Sequence, residues 1–414
     1  MGIISSVQTF KQIMMFMSGA QTPITLWVWV RNLLDFLAFL ANYLANFVKL
    51  ALSPLYAAAI SASARSKTVF VGISGHEQAK STPEINEVFR KDKVRCVQVV
   101  LSKFHSAFLA ADGHVYTCGH GRGGRLGHGH SESILVPKKV RQLSENSIIS
   151  VSLGIDHSLF LSSNGQIFAC GTNDFGQVGL KDKTEVMVPT LLNSNKSKLP
   201  VSSVKGIAAS KFHSVFWTDS GEVYTWGLNA GQLGHGNHGH EKIISSPKLV
   251  SSLKGLKIQL LSSSDGAIVV LAQNGDLLAL NEYQTRKIAF KCSNIVQLHA
   301  VGGHLDPKAM SKTSLLVDQG GQDLKVFLLN SIGKIFVWQA KSPVMIQCLF
   351  NLPRELWISD FSCHKGGLLL ITKEGSAFVG THHTRANITN APNNNGKSTL
   401  WNYIDILFLQ WNVS

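Results

Sequence analysis

Three groups of residues invite a chemical reading. His120, His128 and His130 fall in one glycine-rich stretch, and His235, His238 and His240 in a second. Imidazoles so spaced could ligate a metal, but a metal site needs three or four converging ligands with an acid or thiolate behind them. Polar loop residues beside glycines are the plainer reading, and no metal is expected. Gly396-Lys397-Ser398-Thr399 ends as a phosphate-binding loop ends, yet the first glycine of that motif would fall at Ala391 and no parallel strand precedes it. No nucleotide site or other cofactor is expected. Arg122 and Arg125 carry more promise, because two guanidiniums on one exposed loop can pair bidentately with a partner's carboxylates or phosphates. With His128, Asn229 and His235, they are the loop-exposed residues expected to meet a partner.

Other catalytic chemistry finds no support. No Ser-His-Asp or Cys-His constellation is backed by its local context. Cys96, Cys118, Cys170, Cys292, Cys348 and Cys363 contain no C-x-x-C pair, which argues against a zinc knuckle or a redox couple and for a reducing compartment. The expectation is a protein that is not an enzyme.

The elements that must position these residues are repeats. Phe104 to Pro137 holds a His, an alternating apolar run, an Asp112-Gly113 turn, a second short strand and a glycine corner ending Leu126-Gly127, then a proline. Copies follow from Asp156 to Pro189 and from Phe212 to Pro247. The turn glycines Gly113, Gly165, Gly221, Gly275, Gly333 and Gly375 lie 52, 56, 54, 58 and 42 residues apart. His105, His157 and His213 each stand eight residues before one, while Ala267, Lys325 and Gly367 take that place later. Turns of the x-Gly kind between alternating runs mark β-hairpins. Gly119, Gly124 and Gly127 read as backbone corners where a Cβ would clash, and Gly127, Gly179 and Gly234 recur as structural repeat positions. Each copy is a small antiparallel sheet of about four strands that buries its faces only against its neighbours, which predicts a β-propeller. The three histidines are expected to bond inside each blade, holding a strand to the following turn. Cys118 and Cys170 stand where Trp226 stands and read as small buried residues.

The pattern resembles the repeats of the regulator of chromosome condensation family. The shared residues are clearest as His213, Ser220-Gly221, Trp226-Gly227, Gly231-Gln232-Leu233-Gly234 and Pro247. The runs 103–129, 209–217 and 263–277 are similar to members that inhibit a Bruton-type tyrosine kinase, and the likeness covers roughly residues 68–380. It implies a non-catalytic, cytoplasmic interaction scaffold that binds and inhibits such a kinase. It also implies presenting substrates to a cullin ubiquitin ligase, through an adaptor region not found here. No ankyrin-type pattern is present either, so the chain reads as a fragment or short isoform. The wider family implies the alternative, guanine-nucleotide exchange on a small GTPase. The insertion at 304–325, with Asp306, Asp318 and Asp323, would supply the acidic wedge.

Composition bounds the rest. A net charge of +14 admits nucleic acid, anionic membrane or an acidic protein, but no run of five Lys or Arg occurs, and nucleic acid is not the expected partner. Residues 1–66 stand apart: an apolar helical extension with a thin polar stripe at Asp35, Asn42, Asn46 and Lys49. It is either membrane-associated through residues 26–52 or foreign to the domain. The propeller is expected over 67–380, with 68–90 as half a blade. Complete copies start near Val94, Ile148, Val201, Leu256 and Ile295, and a partial copy near Leu356, giving six or seven blades. A polar, Asn-rich tail with a short apolar end is expected over 381–414.

Overall fold

Alternating apolar residues and x-Gly turns do produce hairpins. In a computed structural model of the chain, the residues described are 70–71, 84–85, 87–181, 183–192, 204–235, 241–289, 291–302, 323–350, 357–364, 367–373, 376–387 and 399–412. The extension at 1–66, with its helix and membrane readings, lies outside them, and so do residues 304–322 of the insertion. Among the described residues no helix is long and apolar enough to cross a membrane.

A short pair comes first, β1 (Phe70–Val71) antiparallel to β2 (Glu84–Ile85), then a short helix α1 (Glu87–Lys91). Blade one is β3 (Cys96–Leu101), β4 (His105–Ala110), β5 (Val115–Gly119) and β6 (Ile134–Lys139). Blade two is β7 (Ile148–Leu153), β8 (His157–Ser162), β9 (Ile167–Thr172) and β10 (Glu185–Leu191). Blade three is β11 (Val204–Ala209), β12 (His213–Thr218), β13 (Val223–Leu228) and β14 (Ile243–Leu249). Blade four is β15 (Ile258–Ser263), β16 (Ile268–Ala272), β17 (Leu277–Asn281) and β18 (Gln284–Ala289). Blade five is β19 (Ile295–Val301), β20 (Lys325–Asn330), β21 (Ile335–Gln339) and β22 (Ser342–Gln347). After β23 (Leu349–Phe350), blade six is β24 (Ile358–His364), β25 (Gly367–Thr372), β26 (Ser376–Asn387) and β27 (Thr399–Asn412).

Five sheets have four strands in sequence order, and the sixth repeats that order with β23 added in parallel to β27. The boundary expected at residue 380 therefore falls inside β26, and the apolar end of the tail forms the fourth strand of blade six. Its register runs from Ser376 opposite Asn412 to Asn387 opposite Thr399, leaving the Asn-rich stretch to connect the two strands. The half-blade expected at 68–90 is a separate two-stranded pair and does not complete that sheet.

Two devices recur along the chain. At the hairpin between the second and third strands of blades one to five, the turn glycine donates back three residues, as Gly221 N–H does to the Thr218 carbonyl at 3.0 Å. Gly221 has φ +92°, and a Cβ there would meet the Leu256 carbonyl, so only glycine fits where the next blade begins. The first strand of all six blades carries a bulge after its first residue, at Val97, Ile149, Lys205, Gln259, Val296 and Ser359.

First strands lie beside one another in succession, and side chains stitch them. The Gln98 amide donates to the Val151 carbonyl (3.2 Å) and accepts from its N–H (2.9 Å). Ser152 accepts from Ala209 N–H at 2.9 Å, Lys205 reaches the Ile258 carbonyl at 3.2 Å, and Ser262 accepts from Ala300 N–H at 2.9 Å. Gln297 binds both backbone groups of Phe361, at 2.9 and 3.2 Å. Between these seams Phe160, Phe216 and Trp226 fill the shared core of the first four blades.

Candidate interaction surface

The glycine-rich corners and the histidines turn out to belong to one arrangement. His105 Nε2 lies 2.9 Å from Ser158 Oγ, and His157 Nε2 2.7 Å from Ser214 Oγ. Each serine hydroxyl in turn donates to a corner carbonyl of the histidine's own blade, Ser158 to Arg125 and Ser214 to Gln177, both at 2.7 Å. A hydroxyl that spends its proton on a carbonyl must accept from the ring, so Nε2 carries a proton in both histidines, and burial keeps the rings neutral. The expectation of bonds within a blade is thus incomplete: His105 Nδ1 does lie 2.9 Å from Ser102 Oγ of its own blade, but each Nε2 reaches into the next. These rings span two blades, because the His-Ser dipeptide places a donor on one blade and an acceptor on the next.

The third clasp is improvised. Blade four has Ala267-Ile268 where the dipeptide should be, and His213 bonds Ser263 instead, at 2.8 Å. The Gln232 amide donates to His213 Nδ1 at 3.3 Å, which again leaves the ring proton on Nε2. Burial drives all three imidazoles down, His157 and His213 to about 3, and His105 well below its ordinary value with the Arg125 charge assisting.

Most of the expected recognition residues have been absorbed into this frame. Arg125 is only 3% exposed. Its guanidinium reaches Asp156 of the next blade at 2.7 Å and the Ile155 carbonyl at 3.3 Å, and it lies over the Phe104 ring. It stands where Gln177 and Gln232 stand in later copies, and Asp156 where Phe104 and Phe212 stand, so two departures from the repeat answer each other. His128 and His235 donate Nε2–H to Thr117 and Thr225, each at 2.9 Å. Those hydroxyls donate to Leu126 and Leu233 at the corner. Burial holds both rings down at about 4. Blade two has Ala169 and Leu180 at the same two places, so the polar pair is kept or dropped as a unit. Asn229 is buried, and its amide donates to the Glu241 carbonyl at 3.1 Å to close its loop. The expectation of loop exposure is corrected for Arg125, Asn229 and His235, which are buried, and qualified for His128, which is half-buried. Only Arg122 is exposed as foreseen.

A Cβ on Gly127 would press on Pro189, on Gly179 against Trp226, and on Gly234 into Leu280, each in the following blade. Trp226 Nε1 bonds the Gln177 carbonyl at 2.9 Å, and Cys170 occupies the equivalent place against Arg125. Sequence reasoning missed Ser158, Ser214 and Asp156. The dipeptides His157-Ser158 and His213-Ser214 were the visible signal for the first two, and the paired departure from the repeat for the third.

No group of three or more His, Cys, Asp or Glu side chains that could hold a metal occurs among the described residues. What the arrangement offers is surface, in two kinds. On one face, long loops join the third and fourth strands of blades one to three. On the other, the described hairpin turns and most bulge residues are exposed. The chain is a β-propeller built from regulator of chromosome condensation repeats, which match over residues 112–161, 164–217 and 220–271. It is similar to the Inhibitor of Bruton tyrosine kinase of Xenopus laevis, 39% identical over 310 residues that make up 74% of this chain and 23% of that protein. The human protein of the same name is 36% identical over 310 residues, 74% of this chain and 22% of its own length. The chain therefore spans about a quarter of the curated relatives it matches. Among solved structures, Prp20p from Saccharomyces cerevisiae superposes with a TM-score of 0.58 at 16% identity, covering 74% of this chain and 77% of that one, a likeness of fold.

Proposed function

We propose that the chain is a non-catalytic interaction scaffold that binds a Bruton-type tyrosine kinase and holds it inactive in the cytoplasm. The observation that carries this reading is the 39% identity to a protein of that name across the segment that forms the propeller. The internal chemistry agrees with it: the histidines and the Arg125–Asp156 pair are spent on holding blades together, and propeller faces need no catalytic group to bind a protein. Arg122, exposed on the loop of blade one, is the recognition residue this reading retains. Presenting substrates to a cullin ubiquitin ligase is its second arm, with the propeller holding the substrate.

The test uses the whole chain immobilised against purified recombinant Bruton-type kinase, with Arg122→Glu beside it. Retention of the kinase, a fall in its phosphorylation of a peptide substrate, and weaker retention by the variant are expected. A kinase neither retained nor slowed would overturn the proposal. Faster release of labelled GDP from a small GTPase would move the exchange alternative ahead of it.

A further inference from the structure

Equivalent positions in the blades act as internal controls for the surface. The residue before each hairpin glycine is Asp112, Asn164, Ser220 or Asn274 in blades one to four, and Ile332 in blade five. The residue before each first strand is Arg95, Ser147, Ser203, Lys257 or Asn294, and then Trp357 in blade six. Both positions are polar in every other described turn and strand start, as their exposure demands. At the junction of blades five and six both become large and apolar, yet Ile332 stays 55% exposed and Trp357 45%.

These residues converge. The Ile358 N–H binds the Gly333 carbonyl at 3.2 Å, and a Cβ on Gly333 would strike Trp357 Cδ1 at 2.6 Å, so the indole lies against the turn carrying Ile332. Lys373 Nζ sits 4.7 Å from the indole centroid, and its own N–H binds the Trp357 carbonyl at 2.9 Å. At the equivalent places of earlier junctions the residues are cationic: Lys257 and Lys291 are exposed where they back the turns of blades three and four, as Trp357 backs the turn of blade five. Asp276, the acid beside the blade-four turn, is held by Lys287 at 2.7 Å.

An exposed tryptophan beside an exposed isoleucine is costly surface unless something covers it, and Trp is enriched among the anchors of protein interfaces. A lysine beside such a platform selects the charge of the cover. Resting on the scaffold reading, we propose that Trp357, Ile332 and Lys373 form a docking site for an acidic segment of a partner protein that carries a large apolar side chain. The apolar side chain packs on the indole and Ile332, and a flanking carboxylate pairs with Lys373.

Short synthetic peptides with a central Leu-Phe pair test this without any kinase, so its failure and that of the scaffold reading are distinguishable. One peptide has Glu flanks, a second Lys flanks, and a third Glu flanks with Gly-Gly at the centre. Fluorescence anisotropy against the full chain is expected to show binding of the first alone, weakening as salt rises. Ile332→Asn with Trp357→Asn installs residues that blades four and five already use at these places (Asn274 and Asn294). It should weaken binding about tenfold or more with thermal unfolding unchanged. Lys373→Glu should reverse the preference between acidic and basic flanks. Equal binding by the wild type and the double variant, or no discrimination among the peptides, overturns the proposal. So does self-association that the double variant abolishes, which would assign the patch to a second copy of the chain.

Discussion

Blades one to three and blades four to six are made by different means from one plan. The seams leaving blades one, two and three carry both a first-strand bond and a His clasp. Those from four to five and from five to six carry the first-strand bonds of Ser262 and Gln297 but, among the described residues, no clasp of the His–Ser kind, although first-strand His299 packs edge-on against Phe361 at the last seam. Apolar packing takes over there, through Val269, Leu271, Leu298 and Val326 at one seam and Phe327, Phe361 and Leu370 at the other. The loops differ in the same sense. Blades four and five replace the glycine corner with two-residue turns, Glu282-Tyr283 at φ 51° and 59° and Ala340-Lys341. In the first two clasps the corner carbonyl is the last acceptor, and blades four and five lack both the corner and the histidine. What remains is a propeller whose early blades spend polar residues on cohesion and whose late blades are free to expose apolar ones.

Trp338 shows the cost of keeping half the device. It stands where Trp226 stands, but blade four offers no corner carbonyl, and its Nε1 is buried without a hydrogen-bond partner among the described residues. Trp226 has Gln177 at 2.9 Å.

The largest break in this contrast should come from His157→Ala. It removes a fully buried ring and Ser214's donor at once, for a loss of roughly 2–4 kcal/mol in urea denaturation. The same residue carries a pH signature. Its folded value near 3 lies below the ordinary 6.5, so between them the unfolded chain binds a proton the native state refuses. Stability is then full above about 6.5 and falls as pH is lowered toward 3, and the variant should show a shallower acid limb. An unchanged limb would mean that the ring is not held neutral by the clasp.

A middle-sized effect is expected at Asp156→Ala, which leaves the buried Arg125 charge without its carboxylate. Because Asp156 is partly exposed, about 2 kcal/mol is a fair expectation, below the value for a wholly buried pair. Restoring the repeat's own residues, with Arg125→Gln and Asp156→Phe together, should recover most of it. If the double change is as unstable as the single one, the two departures are not coupled.

The smallest effect separates the two tryptophans. Trp226→Phe should lose about 1 kcal/mol more than Trp338→Phe in thermal or urea unfolding, because only the first gives up a hydrogen bond. Equal losses would show that volume alone matters at this position.

Much of the fold was legible because its signals are local. A turn glycine at positive φ and a two-residue alternation are properties of a few neighbouring residues, so the hairpins at Gly113, Gly165 and Gly221 follow from the chain itself. The starts of the blades were readable within three residues for the same reason. The fourth strand of blade six was not, since its pairing with β26 spans the Asn-rich stretch and no short-range pattern announces it. Arg125 misled because a guanidinium beside glycines looks alike whether it faces solvent or a carboxylate thirty-one residues on.

The sequence by itself determined the repeat, its period and its corners, together with the loss of the histidine after the third copy, for these depend on residue type and spacing. Tertiary structure decided which polar residues were spent inside and which were left to meet a partner. That choice turns on where the next blade lies, and only the packed seams show it: His157 belongs to Ser214, Arg125 to Asp156, and Trp357 with Ile332 is left facing outward.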